Sequence, residues 1–412
     1  MNSRRILLVS SIQLPATALY LIEALRDIGH EVHAVSDRAH PAVNSVANGV
    51  LDVPRWIERQ GFRPDVLLFV EGGTRLLFPS GMEELDCVTA WYAIDTHLHL
   101  RQHLSLAKLF DVTFVAHLEF VDRFRDREAH WLPVAADPRL CAPGTGARDI
   151  DVAYIGSDHR ALHPERARLL DLIRSRYGNT FIGRADPSKI GEIYGRAKVV
   201  FNRSVKAEVN MRYFEAMGAG AVLVTDRAAR ENGVERLFSP GEDFLEYRDD
   251  ASMLAAIDSL LADDGKRERM GTRARERVLS SHTYQHRARK IVEVLAAAEH
   301  RVKPGPEDYL PAYHLLRYPG AVLSEASRSL AGMRAQGDRN PVLALIAPCA
   351  SGLAALLGWA YRLRYRLRHA RLARKTAARK PLPLRRKART TACGRIRETP
   401  HTDTRTYPHF SR

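Results

Sequence analysis

The sequence predicts an α/β protein with two doubly wound parallel sheets that face a cleft. Two blocks of alternating strand and helix patterns indicate this fold, and a segment rich in proline and glycine separates them. Strands that alternate with helices form βαβ units, which build parallel sheets. A length of 412 residues exceeds what one core usually holds, which also favours two similar domains and an appendage.

The first block contains five short apolar runs that are typical of strands buried on both faces. These predicted strands cover residues 6–10, 32–35, 65–70, 88–94 and 112–116. A helix is predicted at 16–28, between the first two strands. We assign residues 1–140 to an amino-terminal Rossmann-like domain.

The second block repeats the alternation. Its predicted strands cover residues 151–156, 180–182, 199–202 and 221–225, and its predicted helices cover 165–177, 190–196, 254–261 and 284–300. We assign residues 150–300 to a second Rossmann-like domain. Residues 301–412 are predicted to form a helical or disordered extension with a basic tail.

The segment from Asn210 to Asp226 is the most informative part of the chain. It combines a short amphipathic helix, a glycine-rich helix end and a buried strand that ends in an acid. Gly218 and Gly220 suit the left-handed backbone at a helix C-terminus. A doubly wound protein can present a glutamate such as Glu215 to a ribose or sugar hydroxyl at this edge of the sheet. An ordinary helix–strand connection with a solvated Glu215 is the alternative.

The net charge of +15 belongs to one segment. Between Tyr361 and Arg397 there are 15 Lys or Arg residues and no Asp or Glu, and the rest of the chain has 48 basic and 48 acidic residues. An uncharged stretch at 340–361 precedes this segment, and together they predict attachment to an anionic membrane surface. The neutral body argues against nucleic acid as the partner. A membrane span at 340–361 has sufficient length, but its basic flank would place the body outside the cell.

The cysteines and the amino terminus favour a cytoplasmic protein, peripheral at the inner face of the membrane. Cys87, Cys141, Cys349 and Cys393 are scattered and form no CxxC pair, which predicts a reduced protein without structural zinc. The first strand has only four apolar residues, fewer than the core of a signal peptide.

Motifs from both blocks carry a family resemblance. They lie at residues 91–95 (WYAID), 131–138 (WLPVAADP), 151–156 (DVAYIG), 197–204 (AKVVFNRS), 212–216 (RYFEA), 238–243 (FSPGED) and 281–287 (SHTYQHR). Their combination and spacing resemble the CgeB-like glycosyltransferases, a branch related to the retaining group 1, or family 4, enzymes with the GT-B fold. The resemblance implies an acceptor-side domain at 1–140, a nucleotide-sugar-binding domain at 150–300 and no metal cofactor.

The resemblance also implies that Glu215 binds the donor ribose, since a carboxylate accepts hydrogen bonds from both hydroxyls. Related enzymes carry a second glutamate eight positions earlier, where this chain has Ala207. Glu208 is one position away, which on a helix is a rotation of about 100°. We therefore expect Glu208 to be a solvated loop residue.

Five further residues are predicted to contact the donor. Arg212 and Arg160 are the first choice for the diphosphate, and Arg203 and Lys206 lie on the approach to the motif helix. Asn202, at a strand end, is predicted to touch phosphate or sugar. Structural salt bridges, solvent exposure and, for Asn202, a turn cap are the alternatives.

Asp95 and His97 follow a buried strand of the first block and are predicted to contact the acceptor hydroxyl. A metal site formed by Asp95, His97 and His99 is one alternative, because an HxH pair can bind metal. Asp95 as a helix N-cap is the other. Asp149 and Asp151 match the DxD pattern of metal-dependent glycosyltransferases, but their position before a strand favours a solvated domain entry.

The sequence therefore predicts a glycosyltransferase that moves a sugar from a nucleotide-sugar donor to a cell-surface glycan or lipid-linked acceptor, with retention of configuration. Two alternatives come from other classes. One is an epimerase that acts on the nucleotide sugar itself. The other is a catalytically silent scaffold that its basic tail tethers to a membrane or a nucleic acid.

Overall fold

A computed structural model describes residues 3–305, apart from 13–15, 48–49, 73–76, 126–127, 158–159, 161–162 and 229. All of these residues belong to one compact unit of the chain. The basic segment at 361–397 and the uncharged stretch at 340–361 lie outside the described residues. Among the described helices, none has the length and apolar character needed to cross a membrane.

Within the described residues the chain forms fourteen strands. In chain order, β1 to β14 are Arg5–Ser10, Glu31–Ser36, Ser45–Val46, Val50–Asp52, Val66–Val70, Phe78–Ser80, Val88–Ala93, Val112–Val115, Glu128–Trp131, Ile150–Ile155, Thr180–Gly183, Ala197–Asn202, Val222–Asp226 and Phe244–Tyr247.

The same residues contain ten α-helices. In chain order, α1 to α10 are Thr17–Asp27, Val53–Gln60, Thr96–Leu106, Pro164–Arg176, Ile190–Arg196, Met211–Gly218, Val234–Leu237, Asp250–Ala262, Asp264–Ser281 and Tyr284–Ala297. Short 3₁₀ segments occur at Met82–Glu84, Ala107–Leu109, Leu118–Arg123, Pro187–Lys189 and Arg230–Asn232.

Two parallel sheets confirm the predicted fold class. The first sheet has the order β3-β2-β1-β5-β7-β8-β9, the second has the order β11-β10-β12-β13-β14, and β4 pairs with β6. In each large sheet the chain moves first to one side of its opening strand and then to the other. The order therefore reverses between β1 and β5 and between β10 and β12. A crevice forms at the carboxyl ends of the strands at such a switch point.

The last helix joins the two halves of the fold. Tyr284, Ile291 and Leu295 of α10 belong to the same buried cluster as Leu21 and Ile22 of α1. Residues 284–297 follow the second sheet in sequence but pack on the first sheet's layer. The chain thus crosses back, which fixes α10 as part of the first core.

The buried guanidinium group of Arg287 joins the two segments that connect the halves of the fold, residues 133–136 and 281–287. Arg287 Nε donates to the carbonyl oxygen of Pro133 at 2.7 Å, and its Nη2 lies 3.3 Å from the carbonyl oxygen of Val134. Its Nη1 also donates to the carbonyl oxygen of Ser281 at 3.3 Å. Beside it, Ala136 and Thr283 form a β-bridge. One side chain thus satisfies carbonyl groups of both crossovers.

The predicted strands and helices are present, but the prediction omitted others, namely the helices α2, α7 and α9 and five short strands, β3, β4, β6, β9 and β14. We took 254–261 and 284–300 as the last strong helices, but α9 lies between them and α10 ends at Ala297. Along α9 the buried residues are Met270, Gly271, Ala274 and Val278. This buried stripe is narrow and includes small residues, whereas charged side chains dominate the rest of α9. The hydrophobic periodicity that would indicate a helix is therefore weak in the sequence.

We expect Arg287→Met to lower the free energy of unfolding by about 3 kcal/mol, because the substitution leaves buried carbonyl groups without a donor. Urea denaturation followed by circular dichroism measures this change. Lys290→Met, on an exposed face of the same helix, is the matched control and should change stability by about 0.5 kcal/mol or less. Equal effects of the two substitutions would contradict the assigned role of Arg287.

Candidate functional site

A cavity of about 380 Å³ opens at the switch point of the second sheet. The ends of β10 and β11, the first turn of α4 and the start of α6 form its wall. Its charged and amide-bearing residues are Arg166, Arg184, Glu208, Asn210, Arg212 and Glu215. Three cations and two carboxylates therefore face one space.

Glu215 lies on α6 in the cavity wall. Burial raises the pKa of its carboxyl group to about 7, although the nearby guanidinium of Arg212 opposes the shift. Within the described residues, no hydrogen bond supports the carboxylate. The helix that carries it starts at an Asn210 cap and is followed by Gly220, whose φ is +73°. Glu215 is half-buried and lines the cavity, so it is not a fully solvated residue.

Arg212 spans the ends of β10 and β12. Its Nη2 donates to the carbonyl oxygen of Ile155 at 2.6 Å, its Nη1 donates to Asn202 Oδ1, and its guanidinium stacks over the Tyr154 ring at 4.4 Å. A Cβ atom at Gly156 would lie 2.7 Å from Nη2, so a glycine leaves room for this side chain. Arg212 is therefore a fixed cation in the wall.

Asn202 lies behind Arg212 and outside the cavity lining. It is fully buried at the end of β12, and its Nδ2 donates to Thr225 Oγ1 at 2.9 Å. Its Oδ1 accepts from Arg212 and, at 3.2 Å, from Asn210 Nδ2. These bonds orient two residues that line the cavity.

The other three cations predicted to bind the donor have partners away from the cavity lining. Arg160 pairs with Asp171 at 2.6 Å, Arg203 pairs with Asp226 at 2.7 Å, and Lys206 Nζ donates to the carbonyl oxygen of His97 at 3.3 Å. The structure instead places Arg166 and Arg184 on the wall. Arg184 directly follows β11 and lies two residues after the predicted strand at 180–182, a signal that sequence reasoning missed.

Glu208 was expected to be solvated, and that prediction is wrong. Only 7% of Glu208 is exposed, and its Oε2 accepts from the backbone N–H groups of Val205 at 2.7 Å and Lys206 at 2.8 Å. Ala207 has a left-handed backbone with φ of 57°. The rotation expected for a helix does not apply, because this segment is a loop that turns Glu208 toward the cavity.

Asp95 and His97 lie just beyond the carboxyl end of β7, at an edge of the first sheet that we call the first-sheet wall. Asp95 is the residue before α3 and is exposed to solvent, although protein lies close enough to desolvate its carboxyl group in part. Asp95 occupies the N-cap position of α3, as the N-cap alternative predicted, but its side chain makes no capping hydrogen bond. Desolvation and the negative charge of Glu71 raise its pKa to about 7.

Glu71 organises this wall and was not identified from the sequence. Its Oε2 accepts from the backbone N–H groups of Ile94 at 2.6 Å and Asp95 at 2.9 Å, and its Oε1 lies 3.2 Å from His103 Nε2. Burial alone would raise the pKa of Glu71, but His103 and the backbone donors lower it to about 2.

His97 and His117 pack together beside Asp95, with ring centroids 4.7 Å apart in an edge-to-face arrangement. Burial lowers the pKa of His97 and lowers that of His117 to about 3. His97 Nδ1 is buried without a hydrogen-bond partner in the described part of the chain. Both rings are therefore neutral at neutral pH.

Metal binding finds no support in the described ranges, where no group of three or more His, Cys, Asp or Glu residues is arranged to hold an ion. The DxD-like acids have other partners. Asp149 pairs with Arg196 at 2.6 Å, and Asp151 pairs with Lys198 at 2.7 Å. Both carboxylates thus take part in ion pairs at the start of the second sheet.

Comparisons with known proteins agree with this geometry. The family described as glycosyl transferase-like matches residues 144–293. This range includes the whole second sheet and the cavity at its switch point. No curated protein sequence matches the chain.

Solved structures share the fold at low sequence identity. Sucrose-phosphate synthase from Thermosynechococcus elongatus has a TM-score of 0.53 and 14% identity, over 71% of this chain and 98% of that chain. HepE from Anabaena, solved in complex with UDP-glucose, has a TM-score of 0.52 and 12% identity, over 71% and 100% of the two chains. A glycosyltransferase from Rickettsia africae has a TM-score of 0.51 and 10% identity, over 72% and 98%.

The stability of the first-sheet wall should depend on pH through His117. Its folded-state pKa of about 3 lies below its ordinary value of 6.5, so the unfolded state binds more protons between these values. Stability is therefore lost as pH falls below about 6.5. Between pH 7.5 and pH 5.0 we expect His117 to account for about 2 kcal/mol of that loss.

Urea unfolding of wild type and His117→Gln at the two pH values measures this contribution, because the variant should lack that part of the loss. His130→Gln is the control, since the partly exposed His130 pairs with Glu128 at the sheet edge. If His117→Gln lost as much stability between the two pH values as wild type does, this result would contradict the assignment.

Residues 144–293 thus match a glycosyl transferase-like family, and the chain as a whole has the GT-B fold.

Proposed function

We propose that this protein transfers a sugar from a nucleotide-sugar donor to a hydroxyl group of a glycan or lipid-linked acceptor. The observation that carries the proposal is the carboxylate of Glu215, which lines a cavity opposite three guanidinium groups and has no hydrogen-bond donor of its own within the described residues. A buried carboxylate without donors is costly, and ligand hydroxyl groups remove that cost.

The donor ribose fits beside Glu215. Its two hydroxyl groups would each donate to the carboxylate, and hydrogen bonds to a charged group are stronger than those between neutral groups. HepE, which shares the fold, was solved with UDP-glucose. A UDP-sugar is therefore the first donor to test.

The diphosphate needs cations in the same cavity. Arg166, Arg184 and Arg212 line the cavity, and Arg212 is held in place by the ends of two strands. We propose that these three groups offset the charge that develops on the departing diphosphate. Arg160, Arg203 and Lys206 stay predictions for this role, which their present partners do not favour.

The acceptor hydroxyl approaches from the wall of Asp95 and His97. Its oxygen bonds to C1 of the donor sugar, and the bond from C1 to the diphosphate breaks with its electron pair left on the diphosphate. The hydroxyl proton is released in the same reaction. No metal ion takes part in this scheme.

Retention of configuration is what the CgeB-like resemblance implies, and we propose it as the first stereochemical course. In that course a diphosphate oxygen is close enough to take the hydroxyl proton. The pKa of Asp95 near 7 favours a second course, with inversion, because a carboxylate that ionises near neutral pH suits direct proton removal. NMR of the anomeric proton in the product separates the two.

The basic segment at 361–397 supports a location at the inner face of a membrane. Its 15 cations would bind anionic headgroups beside a lipid-linked acceptor. Polysaccharide assembly in the cytoplasm, where nucleotide sugars are made available, fits this arrangement. We propose this location together with the activity.

Replacement of Glu215 tests the donor site. In calorimetric titrations with UDP and UDP-glucose, without added metal, we expect Glu215→Gln to bind about 10- to 100-fold more weakly than wild type, since hydrogen bonds to a charged group are lost. Glu235→Gln, at an exposed position on α7, is the matched control. If wild type binds no nucleotide while folded, the scaffold alternative takes precedence. Turnover of the donor without an acceptor would favour the epimerase.

The same titrations should depend on pH. The pKa of free Glu215 is about 7, and ribose hydroxyl groups bind its ionised form. Wild-type affinity for UDP should therefore fall about tenfold between pH 8 and pH 6. Glu215→Gln should lack this part of the pH dependence, and an identical dependence in the variant would contradict the role of the carboxylate.

A further inference from the structure

Two carboxylates lie next to each other on the first-sheet wall and have opposite surroundings. Glu71 directly follows β5, and Asp95 is the second residue after the neighbouring strand β7. Glu71 receives two backbone N–H groups and faces His103. Within the described residues, the Asp95 side chain receives no hydrogen bond.

The support for Glu71 extends into α3. His103 is 2% exposed, and its Nδ1 lies 3.0 Å from Thr96 Oγ1 while its Nε2 faces Glu71. Thr96 begins α3, immediately after Asp95. The chain of contacts from Thr96 through His103 to Glu71 therefore fixes the turn that carries Asp95.

We propose that Glu71 is a positioning residue for glycosyl transfer, which holds the backbone of Asp95 in the cleft and makes Asp95 the proton-accepting member of the pair. Two adjacent carboxylates do not both ionise easily, and the one with donors stays ionised. Glu71 has the donors, so the proton goes to Asp95. The inference rests on the proposed function. Asp95 takes the hydroxyl proton in the inverting course and only accepts a hydrogen bond from the hydroxyl group in the retaining course.

The electrostatics of the wall support this division of roles. The pKa of Glu71 is lowered to about 2 and that of Asp95 is raised to about 7. The charged groups that face Asp95 come from three elements. Glu71, after β5, and Glu208, in the loop before α6, raise its pKa, whereas His103 on α3 lowers it. Glu71 has the largest effect of the three.

The chemical step gives Asp95 its task. When the acceptor oxygen bonds to C1 and the diphosphate leaves with the electron pair, the hydroxyl group must lose its proton. An ionised Asp95 accepts a hydrogen bond from that hydroxyl group and, in the inverting course, takes the proton. A carboxylate that ionises near neutral pH returns the proton to water between turnovers.

Glu71→Gln tests the proposal in the full-length protein. The amide oxygen of glutamine keeps the backbone hydrogen bonds, but the negative charge is lost. We expect Asp95 to titrate at least one pH unit lower than in wild type, measured by ¹³C NMR of aspartate side-chain carboxyl groups, with Asp95→Asn to assign the signal. The acidic limb of kcat/KM should move by the same amount, which at pH 6 is a gain of about fivefold in the ionised fraction of Asp95.

His103→Gln provides a test of opposite sign, because it removes a group that lowers the pKa of Asp95. In this variant Asp95 should titrate at higher pH than in wild type. If Glu71 and His103 had only structural roles, the two substitutions would not shift the Asp95 titration in opposite directions. Glu58→Gln, at an exposed position on α2, is the control and should leave Asp95 unchanged.

An unchanged Asp95 titration in folded Glu71→Gln, or shifts of the same sign in both variants, would overturn the proposal. The outcome is distinguishable from failure of the proposed function, which the nucleotide titrations report. If nucleotide does not bind, the Asp95 titrations still measure the carboxylate pair.

Discussion

The structure depends on the way a single buried arginine joins the two crossovers of the chain. The Arg287 side chain is 7% exposed, and its bonds are to neutral groups, with carbonyl oxygens of Pro133, Val134 and Ser281 as acceptors. Because the acceptors are neutral, no second charge is buried beside Arg287. The guanidinium group also supplies donors to carbonyl groups at or beyond the ends of regular secondary structure. The crossing of α10 onto α1 is thereby fixed, and with it the position of the two sheets.

Both sheets place unsupported acids at their carboxyl ends. Glu215 on one wall and Asp95 on the other each have a pKa raised to about 7, and within the described residues neither side chain receives a hydrogen bond. Desolvation of an acid without donors lowers stability. Acids with a structural role do have donors. Asp226, for example, pairs with Arg203 and accepts a hydrogen bond from the backbone N–H of Ser204. Glu215 and Asp95 thus differ from the structural acids, and under the proposed function both face substrate.

Sequence patterns predicted the fold and the helix that carries Glu215 and Arg212 in the cavity wall, because strand runs and this helix are local features. They failed where position depends on a loop or on distant partners. The left-handed Ala207 turned Glu208 inward, and Arg166 reached the cavity through a carbonyl contact with Arg203. Glu71 is invisible in sequence, since its role comes from strand neighbours that are 23 and 24 residues away.

The two walls also act on each other through charge. Glu208 lines the cavity of the second sheet, yet its charge raises the pKa of Asp95 and opposes the burial that lowers the pKa of His97. A bound diphosphate would add negative charge to the same space, and the cavity already holds two carboxylates. Under the proposed function, the guanidinium groups of Arg166, Arg184 and Arg212 would offset that charge. Binding of the donor would therefore depend on these cations, because the charges of the cavity also act on the wall that carries Asp95.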